Sequence, residues 1–408
     1  MLRKPREYVG FQAMPTPETQ RLGIFVDAPY HVVGGADRPT VTTVSPFLHF
    51  ACRVAASFAE GALIGRTAYD LPARPVVLPD APRLIALPYY ANLREVGAFL
   101  KGFPVALRRI WRALPELDVV WVFNGGPMGL ALVTLARLRR RRVVVGVRQQ
   151  TDQYWRHRLR GRERLALGPA LALSFLTDLI THGCDRTVVG SALADLVPRG
   201  AGEVLEMTIL LATTDELATA ARAVRRTDGR PVQLLTVGRI DAEKNPHLLV
   251  DALDRLERAA PGAYRLTWVG GGRMEEGVRA AVHDRGLGGI VDFAGYVPYG
   301  PRLLDLYRSA DLFVHVSLTE GVPQVLLEAM ACGTPIVATA VGGVTRATEG
   351  GRAARLVPAG DLAALVAAIE NAVSGPDETF ARATAGLQIA RMHALDVEAA
   401  RVATFLAG

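Results

Sequence analysis

Short apolar runs alternate with longer amphipathic stretches along most of this chain. Leu22–Asp27 (LGIFVD) is closed by Ala28-Pro29 and predicts a first strand. His31–Thr40 follows as a glycine-containing loop, Val41–Glu60 has helical periodicity, and Pro75–Leu87 holds two short strand candidates. Gly97–Ala113 alternates apolar and basic positions as an amphipathic helix. Asp118–Phe123, Gly129–Leu138 and Val143–Val147 read strand, helix, strand. Leu171–Leu179 reads as a helix and Thr187–Val189 as a strand; Ser191 stands where it can cap another helix, before a last strand at Val204–Leu211. This alternation without hairpins predicts a parallel sheet.

The pattern then repeats. Thr213–Arg230 is polar and charged, suited to a partly helical linker, and Val232–Val237 opens a second sheet. Leu266–Val269 is a strand ending in Gly270-Gly271-Gly272, with a helix from about Met274. Such a triplet is usually a strand-to-helix turn and only weakly suggests phosphate contact. Leu312–Val316 runs into the polar turn Ser317–Gly321; Pro323 at a first helical position opens a helix ending near Gly333, where Pro335 prevents continuation. Ile336–Thr339 is a buried strand, and two helices follow from Asp361, the last over Leu387–Leu406.

With 408 residues, 50% apolar and 21% charged, the composition is globular and large enough for two or three domains without covalent staples. Cys52, Cys184 and Cys332 lack metal-ligand spacing, so a reduced cytoplasm is the simplest setting; Cys332 reads as core. The basic N-terminal arm has no apolar centre and is not expected to be a secretory signal. Asn124-Gly125-Gly126-Pro127 splits the apolar stretch Val119–Ala136, and Leu165–Ile180 is short and carries Asp178, so neither should span a membrane. Residues 1–211 hold 27 Lys and Arg against 17 Asp and Glu, +10, and the remainder 20 against 23, −3. The basic half therefore suits an anionic partner, although such a surface can serve solubility alone.

Glu320 in the turn and Glu328 on the following helix frame a helix N-terminus, the partial positive pole of a peptide dipole. That arrangement suits a ligand presenting hydroxyls and an anion, as a sugar nucleotide does. It equally suits a turn residue and a solvated helix residue. The longer string resolves this choice. Glu320-Gly321-Val322-Pro323, Glu328-Ala329-Met330-Ala331 and Gly333-Thr334-Pro335-Ile336-Val337 resemble the E-x7-E segment of retaining glycosyltransferases of family 4, which have the GT-B fold of two facing Rossmann-like domains.

That resemblance implies that Glu320 contacts the donor sugar and Glu328 the ribose hydroxyls, with Gly321, Val322 and Pro323 lining the donor. Gly238-Arg239, followed by Lys244-Asn245, resembles the family's diphosphate-binding segment, which implies that Arg239 and Lys244 hold the diphosphate. Val291–Tyr296 resembles the strand whose following backbone borders the base, making Tyr296 and Val297 base-pocket candidates; Leu303–Ser309 resembles the helix before the Glu320 strand. Gly34 and Gly35 fall where the family has a glycine-rich donor loop, without its usual spacing. Relatives carry a His-Asp pair after the strand matching Val143–Val147; here Arg148-Gln149-Gln150 stands, and Arg148 can meet an anionic sugar or acceptor, or point into solvent.

The expected fold is GT-B, α/β, with an acceptor-side domain over 1–212, a linker over 213–230, a nucleotide-sugar domain over 231–385 and a helix at 386–408 returning to the first domain. The expected function is retaining, metal-independent, hexosyltransferase-like transfer from a nucleotide-diphosphate sugar to a hydroxyl of a glycan, lipid-linked or small-molecule acceptor. No cofactor, metal or nucleic acid is expected. A sugar-nucleotide 2-epimerase or a non-catalytic sugar-nucleotide-binding protein of the same fold is the alternative. The basic stretches Arg137–Arg142 and Tyr154–Arg164 suit an anionic acceptor or peripheral contact with the inner membrane face, in an otherwise cytoplasmic protein; a solvated basic face explains them equally.

Overall fold

The computed structural model describes residues 16–33, 40–43, 45–68, 70, 76–78, 81–90, 95–123, 126–148, 167–194, 197, 200, 202–222 and 229–408. The chain divides into two compact units: Met1–Thr187, Pro198–Leu205 and Ala399–Gly408 form one, and Val188–Val197 with Glu206–Glu398 form the other. The return to the first unit thus begins at Ala399, inside the last helix.

The first sheet comprises β1 (Arg21–Val26), β2 (Tyr30–Val33), β3 (Thr40–Thr43), β4 (Glu60–Ala68), β5 (Val76–Leu78), β6 (Arg83–Leu87), β7 (Val119–Phe123), β8 (Arg142–Val147), β9 (Asp185–Val189) and β10 (Val204–Met207), and lies in the first unit apart from the ends of β9 and β10. β1 pairs in parallel with β4 on one side and β7 on the other, β6 extends β4, and β8 extends β7. The order β6-β4-β1-β7-β8-β9 is that of a dinucleotide-binding sheet. All five residues of β7 (VVWVF) are buried, as a strand covered on both faces requires.

Four expectations for this half need correction. His31–Val33 is strand rather than loop, because β-branched Val32 and Val33 pair with Val41 and Thr40 of β3 in an antiparallel hairpin. β3 pairs antiparallel with β5 too, so the sheet is mixed, not wholly parallel. The helical pattern of Val41–Glu60 belongs only to Phe47–Ala55, and Glu60 begins β4, a central strand that Gly61, Gly65 and Arg66 disguise in the sequence. Ser191 is the first residue of the short helix Ser191–Ala194 instead of its cap.

The second unit carries β11 (Val232–Val237), β12 (Tyr264–Val269), β13 (Val291–Gly295), β14 (Leu312–His315), β15 (Ile336–Thr339) and β16 (Arg355–Val357). All five pairings are parallel, in the order β13-β12-β11-β14-β15-β16. Successive residues of each strand feed opposite cores. Leu235, Phe313, Ile336 and Ala338 pack with helices Gln324–Ala331 and Pro376–Met392. Leu234, Leu312, Val314 and Val337 pack with helices Pro246–Ala259 and Leu362–Ser374. β16 is an addition to the expected elements, and three helices follow Asp361, not two: the pattern breaks between Met392 and Leu395.

The arginine run has mostly internal work. Arg139 stacks 3.6 Å from the Trp111 ring centre, and Arg141 donates to Pro115 O. Arg142 donates to Asp185 Oδ2 at 2.8 Å and to Phe405 O at 3.1 Å, and Gln20 Nε2 donates to Ala407 O at 3.1 Å, so the returning segment is tied to β8 and to the residue before β1. The stretch Tyr154–Arg164 lies outside the described residues. Among the described residues no helix is long and apolar enough to cross a membrane. Arg142→Gln should destabilise by about 1 kcal/mol, a partly exposed ion pair's worth, and raise amide exchange selectively over residues 399–408. Unchanged exchange there, measured by mass spectrometry, would contradict the latch.

Candidate functional site

In a doubly wound sheet the crevice opens where the chain reverses direction of travel across the sheet, at the carboxyl ends of the two central strands. In the second unit these are β11 and β14, and the loops after them are Gly238–Asn245 and Val316–Pro323. Both conspicuous sequence motifs therefore meet at one edge. Leu318 N donates to Glu243 O at 2.8 Å, joining the two loops directly.

The first loop is organised by Asp241, which is buried. Its Oδ1 accepts from Arg273 N at 2.9 Å and its Oδ2 from Arg239 Nη1 at 2.6 Å. The Arg273 amide, with the charges of Arg239 and Arg273, holds this carboxyl below its usual range despite the opposing cost of burial. Arg239 is largely exposed and also pairs with Glu243. The adjoining Gly270-Gly271-Gly272 is explained by loop packing. Ile240 N donates to Gly271 O at 3.2 Å, Met274 N to Ile240 O at 2.9 Å, and a Cβ on Gly272 would stand 2.3 Å from Ile240 O.

Glu320 lies at the centre of the second loop. Its Oε1 accepts from Ser317 Oγ at 2.7 Å and from Lys244 Nζ. His315 Nε2 lies 2.9 Å from the same oxygen, off the line a good hydrogen bond needs. Burial alone would raise this carboxyl; the close approach of His315, the bonds from Lys244 and Ser317 and the Lys244 charge overcome that and bring it down to about 2. The loop backbone is held from behind. Gly343 N donates to Glu320 O at 3.0 Å, and a Cβ on Gly343 would fall 1.6 Å from Gly321 O. Only glycine admits this approach.

Glu328 belongs to the helix Gln324–Ala331, and Pro323 occupies the N-cap, one residue before the position expected for it. Tyr307, wholly buried on helix Pro301–Ser309, donates its hydroxyl to Glu328 Oε2 at 2.9 Å. Burial pushes Glu328 up to about 7, with the Tyr307 bond pulling the other way. Tyr296 is 49% exposed, whereas the Val297 side chain is 5% exposed and packed in the core, so only its backbone remains available to a base. Burial also raises the Cys332 thiol, to about 12, as befits a core cysteine.

The second unit thus gathers Gly238, Arg239, Lys244, Glu320, Gly321, Val322 and Pro323 onto the two loops, with Glu328 on the next helix. Arg148 lies in the first unit, directly after β8, its guanidinium 4.2 Å over the Phe47 ring. Gly34 and Gly35 lie outside the described residues. Sequence reasoning gave no role to His315, Ser317, Tyr307, Asp241 or Gly343. His315, the one polar residue of β14, and the Gly342-Gly343 pair after β15 were the available signals. Among the described residues no three His, Cys, Asp or Glu side chains cluster as a metal site.

Glu320 links the loops to pH. Its folded value lies below 4.5, so it contributes stability present above that value and lost as pH falls towards 2. Lys244→Met should move that loss to higher pH in acid unfolding followed by circular dichroism; an unshifted midpoint would show the pair contributes nothing. Gly343→Ala should cost about 1–3 kcal/mol by overpacking the loop. Gly277→Ala, where a Cβ meets nothing within 4 Å on helix Glu275–Asp284, should be neutral or stabilising.

Comparison with known proteins agrees with this architecture. Residues 231–374 match the family model Glycosyl transferases group 1. The chain is 33% identical over 251 residues to the D-inositol 3-phosphate glycosyltransferase of Pseudarthrobacter chlorophenolicus, covering 59% of this chain and 55% of that protein. It is 32% identical over 281 residues to the 2-deoxystreptamine N-acetyl-D-glucosaminyltransferase of Streptomyces fradiae, covering 66% of this chain and 64% of the relative. The matches therefore span between about half and two thirds of these relatives' lengths. Sucrose-phosphate synthase from Thermosynechococcus elongatus superposes with a TM-score of 0.64 at 19% identity, over 94% of this chain and 97% of that one. WaaG, a glycosyltransferase involved in lipopolysaccharide biosynthesis, does so with 0.63 at 17% identity, over 95% and 100%. The chain has the GT-B fold, two Rossmann-like domains with a C-terminal helix, and residues 231–374 form a domain of the group 1 glycosyltransferase type.

Proposed function

We propose that the protein is a retaining glycosyltransferase that moves a sugar from a nucleotide-diphosphate sugar to an acceptor hydroxyl without a bound metal. The observation that carries this reading is the meeting of Lys244 and Glu320 on adjoining loops at the crevice of the second sheet, with Glu328 one helix turn-and-a-half further on. The relatives named above are called glycosyltransferases, which supports the same class.

In this reading Arg239 and Lys244 receive the diphosphate by charge-assisted hydrogen bonds, aided by the amides at the start of helix Gln324–Ala331. As the bond from the sugar to the diphosphate breaks, negative charge grows on the leaving phosphate, and these fixed donors stabilise it without reorganising. Glu320, ionised and held through Oε1, presents Oε2 to the sugar hydroxyls. Glu328 accepts from the ribose. No side chain at this edge is placed as an enzyme nucleophile, so the acceptor attacks the face the diphosphate leaves, its proton passing to the leaving phosphate. Acceptor recognition falls to the first unit.

Thermal stabilisation by a panel of nucleotide sugars would identify the donor, since a ligand at 100 times its Kd adds about 2.7 kcal/mol. Glu328→Ala should then weaken free nucleoside diphosphate by about 1.5–3 kcal/mol, while Glu320→Ala spares that ligand and weakens the intact donor. Equal losses for both ligands in both variants would refute the assignment. Arg239→Ala should lower turnover about 10²–10³-fold, and activity should survive chelator. Release of nucleoside diphosphate only when acceptor is present distinguishes transfer from epimerisation.

The raised Glu328 adds a pH dependence. Below about 7 it is protonated and a poorer acceptor; above, it is a carboxylate. Nucleoside diphosphate binding should therefore strengthen from pH 6 to pH 8, and Glu328→Gln should flatten that rise to whatever the phosphate itself contributes. Parallel profiles for wild type and variant, measured by calorimetry, would remove Glu328 from the ribose.

A further inference from the structure

We propose that Arg148 is an anion-binding residue of the first unit, placed to receive a carboxylate or phosphate carried by the acceptor; the word acceptor rests on the transferase reading, the anion site does not. Arg148 follows β8 directly, at the carboxyl edge of the first unit's parallel strands, the edge where such sheets meet ligands. Its guanidinium carbon lies over Phe47, 4.2 Å from the ring centre, and Phe47 is itself fixed edge-on against Trp121 and Phe123. Stacking fixes the plane of the fork and leaves its N–H edge for a partner.

Among the described residues no carboxylate meets Arg148, although a half-buried cation ordinarily acquires one. Asp27, which follows β1 two strands away, stands beside another arginine: its Oδ1 lies 3.1 Å from Arg66 Nε. Arginines in the strands of this unit have hydrogen-bonding partners: Arg21 with Asp118, Arg66 with Tyr90 O, Arg83 with Glu116, Arg142 with Asp185 and Arg186 with the Thr181 hydroxyl. Arg148, directly after β8, has only the Phe47 ring among the described residues. Burial also lowers it to about 10, the direction expected of a cation removed from water without a counter-ion. The same edge carries the amino end of helix Pro127–Leu138, whose peptide dipole favours negative charge. A planar fork on an aromatic plate, at the ligand edge and without an acid, is chemistry for a bidentate oxyanion.

Arginine modification by phenylglyoxal, with peptide mass mapping on the full chain, tests this without knowing the sugar. Inorganic phosphate or acetate, each in a separate arm, should slow modification at Arg148 by about tenfold, the worth of one charge-assisted pair, and leave exposed Arg140 unaffected. Protection by phosphate alone assigns a phosphorylated acceptor, and by acetate alone a carboxylated one; either result, or both together, supports the site. A rate at Arg148 that neither anion changes, or no modification at all, overturns it. Titration of the same protein with nucleoside diphosphate reports on the transferase reading separately, so the two can fail independently.

Discussion

A carboxylate taken out of water is costly unless its neighbours replace the lost hydration. Glu320 is such a group, and most of the second unit's crevice can be understood as what holds it ionised there. Ser317 and His315 approach from its own loop and strand, and Lys244 from the loop after β11. Since that cation belongs to a different βα connection, the charge balance is also a mechanical tie between the two loops. The Leu318–Glu243 backbone bond makes the same tie in uncharged form. Thr339 Oγ1, donating to Ser317 O at 2.6 Å, extends it to β15.

The same principle governs Asp241, whose buried carboxylate is satisfied by one backbone amide and two arginines. It draws the loop after β11 onto the glycine-rich loop after β12 so closely that side chains there would collide with carbonyls. Arg239 and Lys244 are consequently held as members of ion pairs. On the proposed reading, an incoming diphosphate meets donors already oriented and competes with Glu243 and Asp241 for Arg239, a competition that tempers affinity and favours release.

Much of the second unit was legible because its strands are buried on both faces and its loops carry chemistry at sheet crevices. Runs such as Leu312–Val316 have one reading, and charged residues directly after them stand out. Glu320, Lys244 and Arg239 were therefore singled out, whereas Ser317, His315 and Asp241 beside them were not. His315 looks like an ordinary strand residue until Glu320 folds back beside it, and Tyr307 gives no sign of bonding a carboxylate 21 residues away. The first unit was harder. β4 contains two glycines and an arginine that pairs with Tyr90 O and Asp27, residues distant in sequence. The β2–β3 hairpin was hidden by the glycines that its connection contains, and the burial of the Val297 side chain was not evident from its motif. Local pattern fails where a residue's environment is assembled from far along the chain.

The two units share one strand order, yet the chemistry at their ligand edges differs in kind. The second unit presents anions and cations already paired, a neutralised surface whose groups are oriented for a ligand with both hydroxyls and phosphates. The first unit pairs Asp27 with Arg66 and leaves Arg148 stacked on an aromatic ring. Arg148 meets no carboxylate among the described residues, so there the aromatic plate supplies the geometry that ion pairs supply in the other sheet. Divergence of this kind requires no change of fold, because side chains beyond the strand ends can vary without disturbing the buried runs beneath them. The strand pattern accordingly identifies where each sheet meets its ligand, and the pairing state of the charges at that edge indicates which kind of ligand it can meet.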